Sequence, residues 1–512
     1  MRNRWLPVVA AFWVVLAVSA FAFQTKAPKA APKKAAPKAA PKTKSSQPTP
    51  LRNSPDQPWT ESNITVPIVG HATAYVPKAP TSAVILFFSG DGGWNLGVVD
   101  MARRIMPRAI VIGLSYPALR KAHASSTSCW MPSGDVEEIS HSAQRELKLP
   151  EYRPPILVGY SSGATLVYEL LAAAPASTFS GGLSMGFCPD LPSDHPICAA
   201  DDFKATFDAA KSTAWIPKVS SMKQPWYVLN GEQDQVCLPP DMHKFLSGIA
   251  GAHFVEIPGT GHGFAKPVHW GGPFDEAIDS LIKSATSPRS SSGGGSRSPS
   301  AFEPKLDALG LPLEFRWADQ PRANLIFVSG DGGWASLDDN LALYLSSHGI
   351  NVVGLSALRY FWSEKTPQQT GTDIRRIAEV LESGNLPLFV GGYSFGAEVA
   401  PFAIDQWPEA DRKRLAGQLL IAPGETAQFE ISPLNWVFRA RETERRVADA
   451  VRRARVPTLC LAGQQEQPRD TACDDMGDAA EFAKLPGSHH FNGKYDEVAK
   501  VALGFIDRKL GH

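Results

Sequence analysis

Short apolar runs bounded by glycine or proline alternate with amphipathic stretches along most of the chain. The first half contains AVILFFSG, AIVIGLSYP, PILVGYS, GGLSMGF, PWYVLNG and HFVEIPG, and the second contains NLIFVSG, INVVGLSA, LPLFVGGYS, GQLLIAPG, PTLCLAG and AEFAKLPG. Such runs, rich in β-branched and aromatic residues, indicate parallel strands buried on both faces. Segments between them, such as Asp135–Leu147 and Thr372–Glu382, have helical spacing. This alternation predicts an α/β fold built on mostly parallel, doubly wound sheets.

The two halves of the chain repeat one another. The motif SGDGGW ends an apolar run at 84–94 and again at 324–334, a GYSxG motif follows in each half, and VEIPGTGHGF at 255–264 corresponds to AKLPGSHHF at 483–491. Three motifs in the same order at similar spacing indicate a duplicated domain. We expect the first domain to cover 60–283 and the second to cover 301–512.

Three segments have compositions that do not suit a folded core. Residues 1–24 begin with arginines and continue into an apolar run with a small-residue cleavage pattern, which predicts either a cleaved signal peptide or a retained membrane anchor. Residues 25–58 are rich in Lys, Ala and Pro and predict a disordered spacer, whose lysines could alternatively rest on anionic lipid. Residues 284–300, rich in Ser and Gly, predict a flexible linker.

Charge and cysteine usage narrow the class of protein. The formal net charge is zero, which argues against a nucleic-acid binder. The first half has four cysteines and the second has two, so disulfides within each domain are possible in an exported chain. The nearest pairs are Cys188 with Cys198 and Cys460 with Cys473, but spacing does not fix the connectivity. We find no zinc-type ligand spacing and expect neither a metal nor a cofactor.

Each GYSxG motif lies between a predicted strand and a predicted helix. The segments Gly159–Gly163 and Gly392–Gly396 therefore have the context of a nucleophile elbow, in which a tight turn exposes the hydroxyl of Ser161 or Ser394. A turn without chemistry is the alternative. In the elbow, the N–H groups of Ser162 and Phe395 at the helix start would face a developing oxyanion.

A serine nucleophile needs a base and an acid from later loops. In the first half, Asp234 follows the strand in PWYVLNG and His262 lies in PGTGHGF, so the chain order Ser161, Asp234, His262 suits the fold. Alignment of the second half on Pro-Gly pairs His262 with His490. The second acid has two candidates. Spacing to the cysteine favours Asp470, and spacing from the glycine favours Glu466; Asp470 is preferred.

The SGDGGW loop follows an early strand, where this fold takes its second oxyanion donor from a glycine-rich loop. The candidate donors are the N–H groups around Gly92, Gly93, Gly332 and Gly333. Asp331 could orient its loop, meet a cationic substrate group, or simply cap the turn. The tryptophan that ends the motif is expected to pack the loop.

These motifs together resemble the VirJ/AcvB family of bacterial virulence proteins. SGDGGW, the GYSxG elbow, a D-x-x-C acid loop and the HHF ending carry the resemblance, which extends over essentially the whole exported region. It implies two tandem α/β-hydrolase-like domains in the periplasm, associated with the membrane. It also implies hydrolysis of the aminoacyl ester, notably lysyl, of aminoacylated phosphatidylglycerol, with Ser394 and His490 as nucleophile and base and secretion-system components as possible partners.

Two other functions fit the same sequence. A general carboxylesterase or lipase would use the same elbows without a preference for aminoacylated lipids. An envelope scaffold that supports secretion would retain the elbows as relics, although complete Ser and His sets in both halves argue against this.

Overall fold

The computed structural model describes residues 57–124, 129–198, 203–286, 301–431, 445–467 and 471–511. The predicted export signal and nearly all of both predicted linkers lie outside these residues. Within the described part of the chain, we find no helix with the length and apolar character needed to cross a membrane.

The first domain is built from strands and helices in alternation. Its strands are β1 Trp59–Val66, β2 Gly70–Pro77, β3 Val84–Phe88, β4 Ile110–Leu114, β5 Ile156–Tyr160, β6 Gly181–Met185, β7 Asp190–Pro192, β8 Thr206–Asp208, β9 Thr213–Trp215, β10 Ser221–Gly231 and β11 Ala250–Ile257. Its helices are α1 Leu96–Arg103, α2 Tyr116–Ala122, α3 Pro132–Glu146, α4 Ser162–Ala173, α5 Pro239–Leu246 and α6 Pro267–Thr286.

The second domain follows the same plan. Its strands are β12 Leu313–Arg316, β13 Ala323–Val328, β14 Ile350–Leu355, β15 Leu388–Tyr393, β16 Leu415–Ile421, β17 Thr458–Gly463 and β18 Glu481–Leu485. Its α-helices are α7 Glu303–Asp307, α8 Ser336–Ser347, α9 Ala357–Tyr360, α10 Pro367–Glu382, α11 Phe395–Asp405, α12 Glu409–Arg412, α13 Val447–Ala454 and α14 Tyr495–Leu510. Short 3₁₀ turns lie at Cys473–Asp475, Gly477–Ala479 and Phe491–Gly493.

The main sheet of the first domain has eight strands in the order β1-β2-β4-β3-β5-β6-β10-β11. Strands β4, β3, β5, β6, β10 and β11 pair in parallel, and β1 and β2 extend the sheet in antiparallel fashion. The second domain repeats this order as β12-β14-β13-β15-β16-β17-β18, with β12 as its antiparallel edge. The prediction of two tandem α/β domains is therefore confirmed.

All twelve apolar runs in the sequence are strands in the parallel parts of the two main sheets. Strands β3, β4, β13 and β14 are buried along their whole length, because helices cover both faces of each sheet. Apolar clusters accordingly lie on both sides of each sheet. The antiparallel edge strands escaped the prediction because they alternate polar and apolar residues, as strands with one solvated face do.

Three disulfides join cysteines within domains. They are Cys129–Cys198, Cys188–Cys237 and Cys460–Cys473, and the described residues contain no free cysteine. The expectation of bonds within domains is confirmed, whereas the nearest pair in the first half is not the bonded one. Two of the bonds, Cys188–Cys237 and Cys460–Cys473, anchor the loop that follows β10 or β17, and that loop carries the acid candidates.

The two domains contact each other through aromatic and polar side chains. The Trp362 indole N–H donates to the Leu149 carbonyl at 2.9 Å, the Arg145 guanidinium lies 3.7 Å from the centre of the Trp362 ring, and Tyr152 packs on the same ring. The Ser177 hydroxyl also donates to the backbone carbonyl of Trp334, the last residue of the second SGDGGW loop. The first domain thus touches a loop next to the second serine.

We predict that the stability of the first domain falls as the pH rises from about 5 to 8, because of Glu169 on helix α4. This side chain is 2% exposed and burial raises its pKa to about 8, against 4.5 for an ordinary glutamate. Because the fold favours the neutral carboxyl, its contribution is complete below pH 4.5 and is lost as the pH rises through the folded-state pKa.

Glu169→Gln should remove that slope and raise the thermal midpoint at pH 8 by about 5 °C or more. Calorimetry of the whole chain at pH 5 and pH 8 measures the effect. Glu138→Gln, at an exposed position of helix α3, is the matched control. A Glu169→Gln midpoint with the same pH dependence as the parent contradicts the prediction.

Candidate active sites

Each candidate nucleophile lies at a sharp turn between a strand and a helix. Strand β5 ends at Tyr160 and helix α4 begins at Ser162, so Ser161 alone makes the turn, with φ 56° and ψ −122°. Ser394 has the same role between β15 and α11, with φ 52° and ψ −120°. Positive φ is strained for a residue with a side chain, and such strain is typical of functional turns.

The flanking glycines are required by close backbone contact. A Cβ on Gly159 would lie 2.1 Å from the carbonyl oxygen of Gly163, and one on Gly163 would lie 2.5 Å from the carbonyl oxygen of Phe88. In the second elbow, a Cβ on Gly396 would lie 2.0 Å from the Val328 carbonyl oxygen. The two glycines of GxSxG are therefore required because the start of the helix packs directly on the backbone of two neighbouring strands.

The first domain brings Ser161, His262 and Asp234 together as a hydrogen-bonded chain. Nε2 of His262 lies 3.0 Å from the Ser161 Oγ, and Nδ1 lies 2.9 Å from Oδ2 of Asp234. The other carboxylate oxygen of Asp234 accepts hydrogen bonds from the Val236 and Cys237 N–H groups at 2.8 and 2.9 Å. The carboxylate is thus fixed on both sides and can orient the imidazole.

Asp234 stays ionised in this setting. Burial alone raises the pKa of the carboxyl, but the hydrogen bonds from His262 and from two backbone N–H groups outweigh burial and bring the pKa below its usual value. Cys237 lies close enough to Asp234 and His262 for the three to resemble a metal cluster. Its sulfur is bonded to Cys188, however, so no thiolate is available as a ligand.

The second domain brings Ser394, His489 and Glu466 together. Nε2 of His489 lies 2.8 Å from the Ser394 Oγ, and Nδ1 lies 2.8 Å from Oε1 of Glu466. The remaining carboxylate oxygen accepts the Gly463 N–H at 2.7 Å. The side chain of Glu466 is only 4% exposed, whereas that of His489 is 36% exposed and open to a substrate.

The pairing of Ser394 with His490 was wrong. His490 turns away from the serine, and its Nδ1 lies 2.7 Å from the hydroxyl of Tyr393. Burial, followed by the neighbouring His489, lowers its pKa. The loop of the second domain is one residue shorter between Pro-Gly and the base, so an alignment on Pro-Gly shifts the histidine by one position. Alignment on the following phenylalanine, His-x-Phe, identifies His489.

Backbone geometry supports this corrected register. Phe264 and Phe491, each two residues after a triad histidine, both have positive φ, at 46° and 51°. The hydroxyl of Tyr160 donates to the His262 carbonyl, and that of Tyr393 donates to the His489 carbonyl. The elbow tyrosine therefore holds the histidine loop in both domains. Sequence reasoning missed this role, although the repeated GYSxG motif contained the signal.

The acid of the second triad is Glu466, the alternative candidate of the sequence analysis. Glu466 follows Gly463 by the same spacing that separates Asp234 from Gly231. The preferred candidate, Asp470, lies outside the described residues. Counting back from the cysteine favoured Asp470 because the acid loop of the second domain is longer, and its extra residues lie between Glu466 and Cys473.

The expectation that Gly93 and Gly333 supply oxyanion donors was wrong. Their N–H groups donate to the carbonyls of Gly90 and Gly330 at 3.0 Å and close a turn. Gly92 accepts a hydrogen bond from the Asn95 amide, and Gly332 lies near the contact between the domains.

In each SGDGGW loop, the residue that lies beside the serine is the first glycine, Gly90 or Gly330. A Cβ on Gly90 would lie 2.9 Å from the Cβ of Ser161, and one on Gly330 would lie 3.7 Å from the Cβ of Ser394. On the other side, helices α4 and α11 begin at Ser162 and Phe395, whose N–H groups have no partner within their helices. An oxyanion would therefore lie between the first glycine of the loop and the helix start.

The tryptophan of each SGDGGW loop packs the loop onto the sheet, as expected. A Cβ on Gly113 of β4 would overlap the Trp94 ring at 2.2 Å, and one on Gly354 of β14 would overlap the Trp334 ring at 2.0 Å. Each ring thus packs against a glycine in the adjacent strand. This contact holds the loop close to the serine.

We predict that His489 and His490 differ sharply in their effect on catalysis by the second site. His489→Gln should lower kcat by about 10⁴-fold, because it removes the base that contacts Ser394. His490→Gln should lower kcat by less than about tenfold, because His490 contacts Tyr393 instead. Hydrolysis of p-nitrophenyl acetate, with Ser161→Ala as the background, measures both. The opposite ranking would restore the original assignment.

Comparisons with known proteins agree with the motif resemblance in the second domain. Residues 323–510 match the family described as bacterial virulence protein (VirJ). No curated protein matches the chain.

Solved structures that resemble parts of the chain include the following three. XC6422 from Xanthomonas campestris, described as an α/β serine hydrolase without a lid, is 16% identical, with 43% of this chain and 94% of that chain covered and a TM-score of 0.28. Est1E from Butyrivibrio proteoclasticus is 11% identical, with 44% and 98% covered and a TM-score of 0.30. A membrane phospholipase A described as a bacterial virulence factor is 12% identical, with 44% and 87% covered and a TM-score of 0.32.

The match at 323–510 includes Ser394, Glu466 and His489, the three residues of the second triad. The resemblance to VirJ is therefore confirmed over the second domain.

Proposed function

We propose that this chain is a serine esterase whose second domain hydrolyses the aminoacyl ester of aminoacylated phosphatidylglycerol. The observation that carries the esterase assignment is the hydrogen-bonded chain Ser394–His489–Glu466 on an elbow beside a helix start. Its counterpart in the first domain repeats the arrangement. This geometry suits acyl transfer to a serine.

The reaction follows from the contacts of the second triad. Ser394 Oγ attacks the ester carbonyl carbon while Nε2 of His489 takes the hydroxyl proton. The N–H of Phe395 faces the developing oxyanion. Collapse of the tetrahedral intermediate transfers that proton to the departing glycerol oxygen and leaves an aminoacyl-serine. Water, deprotonated by His489, then releases the free amino acid and restores Ser394. Glu466 stabilises the imidazolium in both halves of the reaction.

The same triads favour an ester over other targets. Serine-based acyl transfer cleaves a carboxylic ester and leaves the phosphodiester of the lipid intact. A scaffold would need neither triad, yet both are complete and both nucleophiles keep a strained backbone conformation. Strain of this kind persists where it serves a function.

A positively charged aminoacyl group suits the acidic surroundings of Ser394. Asp331 follows Gly330, the glycine beside the serine, and it acts electrostatically on both His490 and Tyr393. Glu398 lies one helical turn after the nucleophile, and its carboxylate accepts the Gly424 N–H at 3.2 Å. Asp331 is thus the better candidate for contacting the ammonium group of the substrate.

The family resemblance of the second domain narrows the ester to an aminoacylated lipid and suggests the periplasm as the compartment. The apolar start and the lysine-rich segment of the sequence support a position at the outer face of the inner membrane, either tethered or only associated. Components of a secretion system are partners by resemblance only. No cofactor is needed for this chemistry.

The substrate proposal predicts that the purified chain releases lysine from lysyl-phosphatidylglycerol in mixed micelles and leaves phosphatidylglycerol behind. Ser394→Ala should lower the rate by at least about 10³-fold, because the nucleophile is removed. The matched variant Ser161→Ala should lower it far less, since it changes only the other elbow. Chromatography of the amino acid and of the lipid measures both products.

Different outcomes separate the alternatives. Release of diacylglycerol or of fatty acid alone would show a phospholipase and would contradict the proposal. Equal rates on neutral short-chain esters and on lysyl-phosphatidylglycerol at this site would favour a general carboxylesterase. A loss of lysine release in Ser161→Ala, with Ser394→Ala unaffected, would reverse the assignment of domains.

A further prediction concerns recognition of the charged substrate by Asp331. Asp331→Asn should lower kcat/KM for lysyl-phosphatidylglycerol by about fivefold, which corresponds to about 1 kcal/mol for a partly exposed charge pair. Hydrolysis of p-nitrophenyl acetate at Ser394, which involves no charged group, is the internal control and should change little. An equal loss on both substrates would indicate that Asp331 only supports the loop.

A further inference from the structure

We propose that the first domain is a second, independent esterase centre that takes carboxylic esters with a short apolar acyl group. This goes beyond the function proposed for Ser394, because it assigns Ser161 a different substrate class. Its basis is a cavity next to Ser161 together with two glycines that the second domain replaces with larger side chains.

The cavity lies between the SGDGGW loop, helix α1 and the loop that carries His262, and its volume is about 310 Å³. Its apolar lining comes from Val98, Met101, Tyr160, Phe264 and Trp270. Ligand pockets span about 300 to 1,000 Å³, so this cavity suits a short acyl group better than a long fatty chain. The carboxylate at its rim, Asp100, is paired with Arg103 and does not make the cavity a cation site.

The wall of the cavity contains residues that lie next to the first triad. Gly90, whose Cβ would lie 2.9 Å from that of Ser161, is part of its wall, as is Tyr160, which precedes the nucleophile. Gly263, which follows the triad histidine, forms another part of the wall. The space therefore begins beside the residues that flank Ser161 and His262, and we place the acyl group of an ester bound at Ser161 there.

Two glycines leave the cavity open. Gly97 lies near the start of helix α1, where an added Cβ would meet only the Asn95 side chain at 4.0 Å. Gly263 has no heavy atom within 4 Å of an added Cβ. Neither has a positive φ, so a side chain at either position would enter open space without backbone strain.

The second domain carries larger residues at the corresponding positions. Counted from SGDGGW, Gly97 corresponds to Leu337, which is 3% exposed in the domain core. Counted from the triad histidine, Gly263 corresponds to His490, which packs against Tyr393. These two exchanges put larger side chains in the second domain at positions where the first domain has open space.

The reaction at the first site is balanced by water alone. Ser161 Oγ attacks the ester carbonyl carbon, its proton passes to Nε2 of His262 and then to the departing alcohol, and an acyl-serine remains. Water, deprotonated by the same nitrogen, hydrolyses the acyl-serine to the carboxylic acid. Asp234, held by the Val236 and Cys237 N–H groups, stabilises the imidazolium.

The test uses the full chain with Ser394→Ala, so that only the first site can act. It should hydrolyse p-nitrophenyl butyrate, and the added change Ser161→Ala should lower that rate by at least about 10³-fold. A fluorophosphonate probe followed by peptide mapping should label Ser161. An unchanged butyrate rate after Ser161→Ala, or no labelling of Ser161, would overturn the proposal whatever the result with aminoacylated lipid.

Variants that copy the second domain test the cavity itself. In the Ser394→Ala chain, Gly97→Leu and Gly263→His should each lower the ratio of kcat/KM for the butyryl ester to kcat/KM for the acetyl ester by about tenfold or more. Gly272→Leu is the matched control, because Gly272 is exposed on helix α6, has open space around it and is not part of the cavity wall.

The acyl-length profile and the fold are measured together. Thermal midpoints and circular dichroism of the three glycine variants check folding, and two independent variants keep the test valid if one does not fold. Superimposable profiles for the parent and for whichever folded cavity variants are obtained would show that the cavity does not hold the acyl group and would overturn the substrate assignment.

Discussion

The close contact between a helix start and the ends of two parallel strands is the constraint on which both sites depend. In each domain the helix that follows the serine approaches so closely that a Cβ on either flanking glycine would lie within about 2.5 Å of backbone atoms. The serine between them is forced to positive φ, and its hydroxyl then lies above the carboxyl edge of the sheet. The histidine and acid loops follow later strands of the same sheet, so they reach the same edge.

Much of this arrangement could be predicted from the sequence because it rests on local chemistry. The apolar runs gave the parallel strands, and the context of GYSxG gave the elbows. The errors arose where loops differ in length between the domains. In the second domain, the loop between Pro-Gly and His489 is one residue shorter, and the loop between Glu466 and Cys473 is longer. Alignment on Pro-Gly therefore identified the wrong histidine, and alignment on the cysteine favoured the wrong acid. The distance from the strand-ending Gly463 preserves the register of the acid, whereas the base keeps its register only relative to the following phenylalanine, in His-x-Phe.

Other features could not be read from sequence because they depend on tertiary packing. The use of the Gly93 and Gly333 N–H groups in a turn is decided by the path of the loop, and the tryptophan that fixes this path packs on a glycine in another strand. The bonded partner of Cys188 is likewise Cys237, 49 residues away, in the acid loop. That bond serves the site directly, because the Cys237 N–H also holds the Asp234 carboxylate.

The two domains share one fold, but their triads have different surroundings. Residues next to the first triad line a cavity, and no residue of the second domain is part of that cavity wall. The second triad has its loop supported from outside, because Ser177 of the first domain donates to the Trp334 carbonyl. Phe361, next to the interface residue Trp362, packs on Phe395, the residue that follows Ser394. The first domain is thus both an enzyme-like unit and part of the support of its neighbour, which gives a physical reason for joining the two domains in one chain.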